Sequence, residues 1–263
     1  MSASPIGVFD SGVGGLSILH SIRQLLPHEH LIYVADSAHA PYGPKGDNFI
    51  VQRSLHIMEY LKARQVKAVV VACNTATAAA IAVLRERYQL PLIGVEPAIK
   101  PAAEQSRSAV VGVLATSGTI ASDKFISLQN RFSEHVQIIT RAGTGLVELI
   151  EQPQFDEATL LALLESYIRP MHDKGADTLV LGCTHYSLIR SQIAKVAGPR
   201  MHIVDAGTAV AKELQRRLVA SGLDNLLAST APVQFLSSGD LKVQRQLLAR
   251  YWPEPAAEVT ALA

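Results

Sequence analysis

VKAVVVACNT at residues 66–75 and ADTLVLGCTH at residues 176–185 are two versions of one pattern: an aliphatic run, a cysteine where the run ends, then polar residues able to open a helix. A continuous apolar run without alternation suits a strand covered on both faces, and such strands belong to parallel sheets. A second pair keeps the same order. GVFDSG at 7–12 and GVLATSG at 112–118 are small apolar strands that end in a hydroxyl-bearing turn and a glycine. The first glycines of this pair lie 105 positions apart and the cysteines 110. Two pairs in one order at a nearly constant offset imply a duplicated α/β unit.

Working outward, strands are expected at 5–9, 31–35, 67–72, 92–95, 109–114, 136–140, 177–182, 201–204 and 232–235, with helical patterns at 15–25, 48–64, 74–88, 157–173, 186–196 and 207–221. Alternation of this kind predicts an α/β fold of two pseudo-equivalent domains, each a mainly parallel sheet flanked by helices, around a central cleft. Pro97 disfavours helix in the residue before it and marks a break. The first domain is expected over 1–97 plus 208–263 and the second over 98–207. The Pro-, Glu- and Ala-rich tail after Trp252 is expected to be loosely held. The stripe Val210, Leu214 and Leu218 on the helix 207–221 is weighed as a homodimer face and reads better as core.

Composition narrows the partners. With 263 residues and 48% hydrophobic content the chain can bury a large core. The balance of 24 basic and 23 acidic residues carries no bias toward nucleic acid. MSASPIGVFD lacks the basic start and apolar core of a secretory signal, and no apolar stretch reaches about 18 residues, so a cytoplasmic protein with no membrane association is expected. Two cysteines in a reducing compartment argue against a disulfide, and neither has the neighbours of a zinc site.

In open α/β folds ligands bind beyond the carboxyl ends of the strands. Two facing domains would therefore bring Cys73 and Cys183 to opposite walls of one cleft. That geometry suits a two-base proton transfer, in which one thiolate takes a proton from carbon while the opposing thiol gives one to the other face. A free thiol ionises near about 8.5, so each needs assistance, and the start of a helix offers unpaired N–H groups and the positive dipole end. Asn74, Thr75, Thr184 and His185 add donors, and the same N–H groups can seat a carboxylate. A lone cysteine at the end of a buried strand is usually an inert small hydrophobe. Two that share strand end, polar follower and helix start are not explained that way.

The turn DSGVGG at 10–15 invites a dinucleotide-loop reading, with Asp36 in the place of the ribose-binding acid. Ser17 breaks the glycine spacing, and Asp10 would set a negative charge beside a pyrophosphate. A carboxylate there suits an amine or a partner thiol, although Asp and Ser are also ordinary turn residues. In DSAHAPYGPKGDN at 36–48, Tyr42 and Gly43 follow Pro41, and such a turn can offer a phenol and a free N–H to a second carboxylate. His39 and Lys45 are read as loop residues.

Together GVFDSGVGGLS at 7–17, YVADSAHAPYG at 33–43, ACNTATA at 72–78, GVEPA at 94–98 and LGCTHY at 181–186 resemble the glutamate racemases. The resemblance covers most of the chain, with five motifs in family order. It implies two α/β domains around a buried cleft, and an activity needing neither pyridoxal phosphate nor metal. It makes Cys73 and Cys183 the acid/base pair, Cys73 working on the D enantiomer and Cys183 on the L. Asp10, Ser11, Tyr42, Gly43, Asn74, Thr75, Thr184 and His185 match positions that bind glutamate or support the thiols, with Thr116 a further contact. RAGTGLVELIE at 141–151 lacks the Cys-Pro pair of many members, which leaves the supporting glutamate between Glu151 and Glu148. The implied role is supply of D-glutamate for peptidoglycan. An aspartate or hydantoin racemase, a catalytically idle amino-acid-binding protein and, least favoured, a nucleotide-binding oxidoreductase are the alternatives.

Overall fold

The computed structural model describes residues 4–225, 233–254 and 258–262. Its strands are β1 (Ile6–Asp10), β2 (Leu31–Ala35), β3 (Ala68–Val71), β4 (Leu92–Gly94), β5 (Val110–Ala115), β6 (Gln137–Ala142), β7 (Thr178–Gly182), β8 (His202–Val204), β9 (Val233–Ser237) and β10 (Val259–Ala261). They form two sheets, one ordered β10-β9-β2-β1-β3-β4 and the other β6-β5-β7-β8. Every pairing is parallel. β1, β2, β3 and β7 are buried along their whole length, as their unalternated apolar sequences require.

Covering these faces are α1 (Leu16–Leu25), α2 (Asp47–Ala63), α3 (Asn74–Arg87), α4 (Ile99–Gln105), α5 (Ser117–Ala121), α6 (Asp123–Asn130), α7 (Leu146–Ile150), α8 (Glu157–His172), α9 (Thr184–Leu188), α10 (Arg190–Ala197), α11 (Gly207–Ala220) and α12 (Leu241–Tyr251). The duplicated sequence has a geometric counterpart. β1 lies beside β3 in the first sheet and β5 beside β7 in the second, so each cysteine-ended strand neighbours a Gly-Val strand. The carboxyl ends of these four strands meet between the sheets, where one apolar cluster joins Leu16 and Leu19 of α1 to Tyr186 and Ile189.

Two expectations need correction. The helix read over 186–196 is two helices, α9 and α10, separated at Ile189, whose backbone leaves helical geometry (φ −111°, ψ 27°) as its side chain enters the core. The tail is held more firmly than its composition suggests. Trp252 is buried against Phe235, ring centroids 5.5 Å apart, and β10 adds a parallel edge strand to β9. The strand expected over 232–235 is β9 from Val233 onward, and Pro232 lies outside the described residues. Val210, Leu214 and Leu218 are buried, α11 packing against α1, so that stripe is core, as its pattern suggested.

Asp36, just past β2, is a hub. Its buried carboxylate takes a two-pronged grip from Arg53 of α2 (Nε to Oδ2 2.9 Å, Nη2 to Oδ1 2.8 Å), the Tyr42 phenol (2.6 Å) and the Ser238 hydroxyl (2.8 Å), with His39 Nδ1 at 2.9 Å. The loop 37–43 is thereby fastened to α2 and to the segment after β9. Burial alone would raise the pKa of Asp36, but these donors outweigh it and hold the carboxyl at about 2, against 3.8 in an open chain. The depressed value stabilises the fold above the open-chain pKa, and that contribution is lost as the pH falls from 3.8 toward 2. Asp36→Asn is expected to lower the unfolding free energy at neutral pH by about 2 kcal/mol and to flatten the acid limb of stability in urea titrations at stepped pH. An unchanged acid limb would contradict this assignment.

Candidate active site

Asp10 ends β1, wholly buried, and its carboxylate closes the loop that follows. Oδ1 accepts from Ser11 N at 2.7 Å and Oδ2 from Gly15 N at 2.5 Å. From the other sheet, the Thr184 hydroxyl also donates to Oδ2, at 3.2 Å. Burial raises the Asp10 pKa, and the nearby His185 only partly offsets this.

Cys73 lies two residues past β3 and caps α3. Its Sγ accepts from Ala76 N at 3.5 Å and donates to Ser11 Oγ at 3.8 Å. Burial, and then the Asp10 charge, push this thiol well above its ordinary pKa. Asn74 and Thr75 open α3, where backbone N–H groups lack intrahelical acceptors. The Asn74 amide is committed to the Val95 carbonyl (3.3 Å), and the Thr75 hydroxyl reaches Thr116 Oγ1 across the cleft at 2.8 Å.

Cys183 directly follows β7 and heads α9, as Cys73 heads α3. Its Sγ lies 3.9 Å from His185 Nδ1, and the other ring nitrogen, Nε2, meets Glu151 Oε1 at 2.6 Å. Burial alone would lower the His185 pKa, but Cys183, Glu151 and Asp10 together lift it well above the usual imidazole range. These neighbours favour the protonated imidazole, with the ring set beside the Cys183 sulfur. The same Glu151 oxygen accepts Val13 N at 2.7 Å. Of the two glutamates, Glu151 is the one that meets His185, while Glu148 is exposed; both line a cavity of about 390 Å³.

The glycines of DSGVGG have a purpose that spacing alone did not reveal. A Cβ on Gly12 would occupy the space of the Glu151 carboxylate, and one on Gly14 that of the His185 ring. Their missing side chains let the second sheet's groups reach the first sheet's loop. Beneath it, Tyr33 of β2 donates its phenol to the Gly12 carbonyl at 2.6 Å, a link with no local signature in the sequence. The Tyr42 phenol is committed to Asp36, which leaves the backbone of the Tyr42–Gly43 turn, packed against Thr116, as its offer to a ligand.

Asp10, Ser11, Cys73, Asn74, Thr75, Thr184 and His185 are all under a tenth exposed. Two buried thiols thus stand at the heads of α3 and α9, with the buried Asp10 carboxylate bonded to the loop of the first sheet and to Thr184 of the second, and the His185 ring beside Cys183. Such a site can exchange protons at a carbon acid bearing a carboxylate and an ammonium. Among the described residues no cluster of His, Cys, Asp and Glu is arranged to hold a metal ion, and no helix is long and apolar enough to cross a membrane.

Residues 6–214 match the family model described as Asp/Glu/hydantoin racemase. A glutamate racemase of Methylococcus capsulatus is 52% identical over 249 residues, 95% of this chain and 92% of that protein. Among solved structures, glutamate racemase isoform RacE1 from Bacillus anthracis superposes with a TM-score of 0.87 at 31% identity, covering 99% of this chain and 97% of that one. The Escherichia coli glutamate racemase, in complex with L-glutamate and the activator UDP-MurNAc-Ala, gives 0.86 at 34% identity, covering 98% and 97%.

The raised Cys73 pKa leaves the resting thiol protonated at neutral pH, so its alkylation should be slow there and keep accelerating as the pH passes the ordinary thiol range. Peptide mass spectrometry of iodoacetamide-treated protein measures this, with the denatured chain as reference. Rapid labelling of folded Cys73 at neutral pH would contradict the assignment.

Proposed function

The chain belongs to the Asp/Glu/hydantoin racemase family, and we propose that it interconverts L- and D-glutamate with Cys73 and Cys183 as the two acid/base residues. The observation that carries this reading is the pair of buried cysteines past the ends of β3 and β7, each heading a helix, and we read them as opposite walls of one site. We further read the two domains as 1–97 plus 208–263 and 98–207.

The proposed chemistry follows from the groups present. The N–H groups heading α3 and α9 bind the α-carboxylate, Asp10 faces the ammonium, and the Tyr42–Gly43 turn receives the side-chain carboxylate, with Ser11, Thr75, Thr116 and Thr184 filling the remaining wall. In the L-to-D direction the Cys183 thiolate, beside the His185 imidazolium, removes the α-proton. The electron pair stays on the substrate, stabilised by donors on the carboxylate. Cys73 then gives its proton to the opposite face, leaving Cys183 as thiol and Cys73 as thiolate. An arriving ammonium offsets the Asp10 charge that holds Cys73 protonated, easing the reverse direction. No step calls on pyridoxal phosphate or a metal. Electrostatic stabilisation in a water-poor site supplies what a cofactor would otherwise provide. Because the binding groups are buried, the walls must part to admit substrate, and that opening contributes to turnover.

A cytoplasmic location and supply of D-glutamate to peptidoglycan complete the proposal. Circular dichroism of protein incubated separately with each enantiomer, without added cofactor, tests it. Both signals should decay to zero, and Cys73→Ala or Cys183→Ala should each slow the decay by about 10²–10⁴-fold or more. A wild-type rate in either variant would refute the two-thiol mechanism. Decay with aspartate or a hydantoin alone would move the chain to a sister activity.

A further inference from the structure

Building on that two-thiol reading, we propose that Tyr33 is a positioning residue for the Cys183 half of the proton transfer, acting through the Gly12–Val13 peptide, Glu151 and His185. Four contacts form one continuous chain. The Tyr33 phenol donates to the Gly12 carbonyl at 2.6 Å. The N–H of that same peptide unit, on Val13, donates to Glu151 Oε1 at 2.7 Å. This oxygen meets His185 Nε2 at 2.6 Å, and the opposite ring nitrogen stands 3.9 Å from Cys183 Sγ. The chain starts on β2 in the first sheet and ends at the thiol after β7 in the second.

The peptide is the joint on which this depends. A carbonyl that accepts a hydrogen bond makes its own N–H a better donor, because the two polarise one another in a low-dielectric interior. Tyr33 therefore strengthens and orients the bond that holds Glu151, and Glu151 fixes the ring that faces Cys183. Two further observations favour this over a phenol that merely satisfies a buried carbonyl. Gly12 lacks a side chain where one would obstruct the Glu151 carboxylate. Tyr33, 2% exposed, is held as a neutral donor, since burial and then the Asp10 and Glu151 charges raise its pKa well above the ordinary phenol range. By contrast the Cys73 thiol accepts from Ala76 N and donates to Ser11 Oγ, outside this chain.

The test uses substrate isotope effects. Enantiomers have equal free energies, so any variant lowers kcat/KM by the same factor in both directions, and rates alone do not reveal which thiol is affected. Deuterium at the α-carbon does. If the Cys183 step is impaired, removal of deuterium from L-glutamate becomes more rate-limiting and the isotope effect grows. From D-glutamate, Cys73 removes the deuterium and the later delivery by Cys183 becomes limiting, so the isotope effect shrinks. Tyr33→Phe, its fold checked by circular dichroism, is expected to lose about tenfold in kcat/KM and to split the two isotope effects in this way. Replacement of Tyr33 by 3-fluorotyrosine keeps the packing and makes the phenol a stronger donor. It should move both isotope effects the opposite way, and it decides the matter if the Phe variant does not fold. Isotope effects that stay fixed or move together, or undiminished turnover in Tyr33→Phe, would overturn the proposal. Absence of racemisation in the wild type would instead overturn the reading of the site itself.

Discussion

One carboxylate oxygen, Oε1 of Glu151, joins the two sheets at their reacting ends, meeting Val13 N of the first sheet's loop and His185 Nε2 beside the second sheet's thiol. Much of the site's local design follows from that constraint. Gly12 and Gly14 leave room for the carboxylate and the imidazole, and Asp10 closes the loop that carries both glycines. Charges and dipoles that would be costly alone in a dry interior are tolerable here because each is answered by a defined partner.

The site's electrical balance follows from the same burial. Asp10 and Cys73 are both pushed toward their neutral forms, whereas His185 is held in its charged form by the anionic groups around it. The shifts run in opposite senses around the two thiols, toward a protonated Cys73 and toward a protonated His185 beside Cys183, an asymmetry suited to the proposed reaction, which needs an acid on one face and a base on the other. Asp36 works at a distance from this balance. Anchored by Arg53, Tyr42, His39 and Ser238, it holds the loop that ends in the Tyr42–Gly43 turn.

Much of this was legible in the sequence because the signal was local. Unalternated aliphatic runs announce buried parallel strands, and a residue that ends such a strand is carried to the strand's carboxyl end by the fold itself. The placing of Cys73, Cys183 and Asp10 at strand ends is legible in that way. Groups defined by contacts across the molecule were less accessible. Nothing in GVGG tells which side chain from 138 residues away will press against it. Tyr33 reads as one more strand residue until its phenol is seen on the Gly12 carbonyl. The helix break at Ile189 and the docking of Trp252 likewise come from tertiary packing, which overrides a helical pattern in one case and a loop-like composition in the other.

Proton transfer between opposing thiols is tested most directly by running the reaction in D₂O from unlabelled L-glutamate and reading both enantiomers by mass spectrometry at low conversion. Two thiols on opposite faces predict that the D-glutamate formed carries one solvent deuterium while the remaining L-glutamate is still protiated. Early deuterium in the remaining L-glutamate, or D-glutamate that keeps the original proton, would mean that one base serves both faces and would contradict the two-walled site.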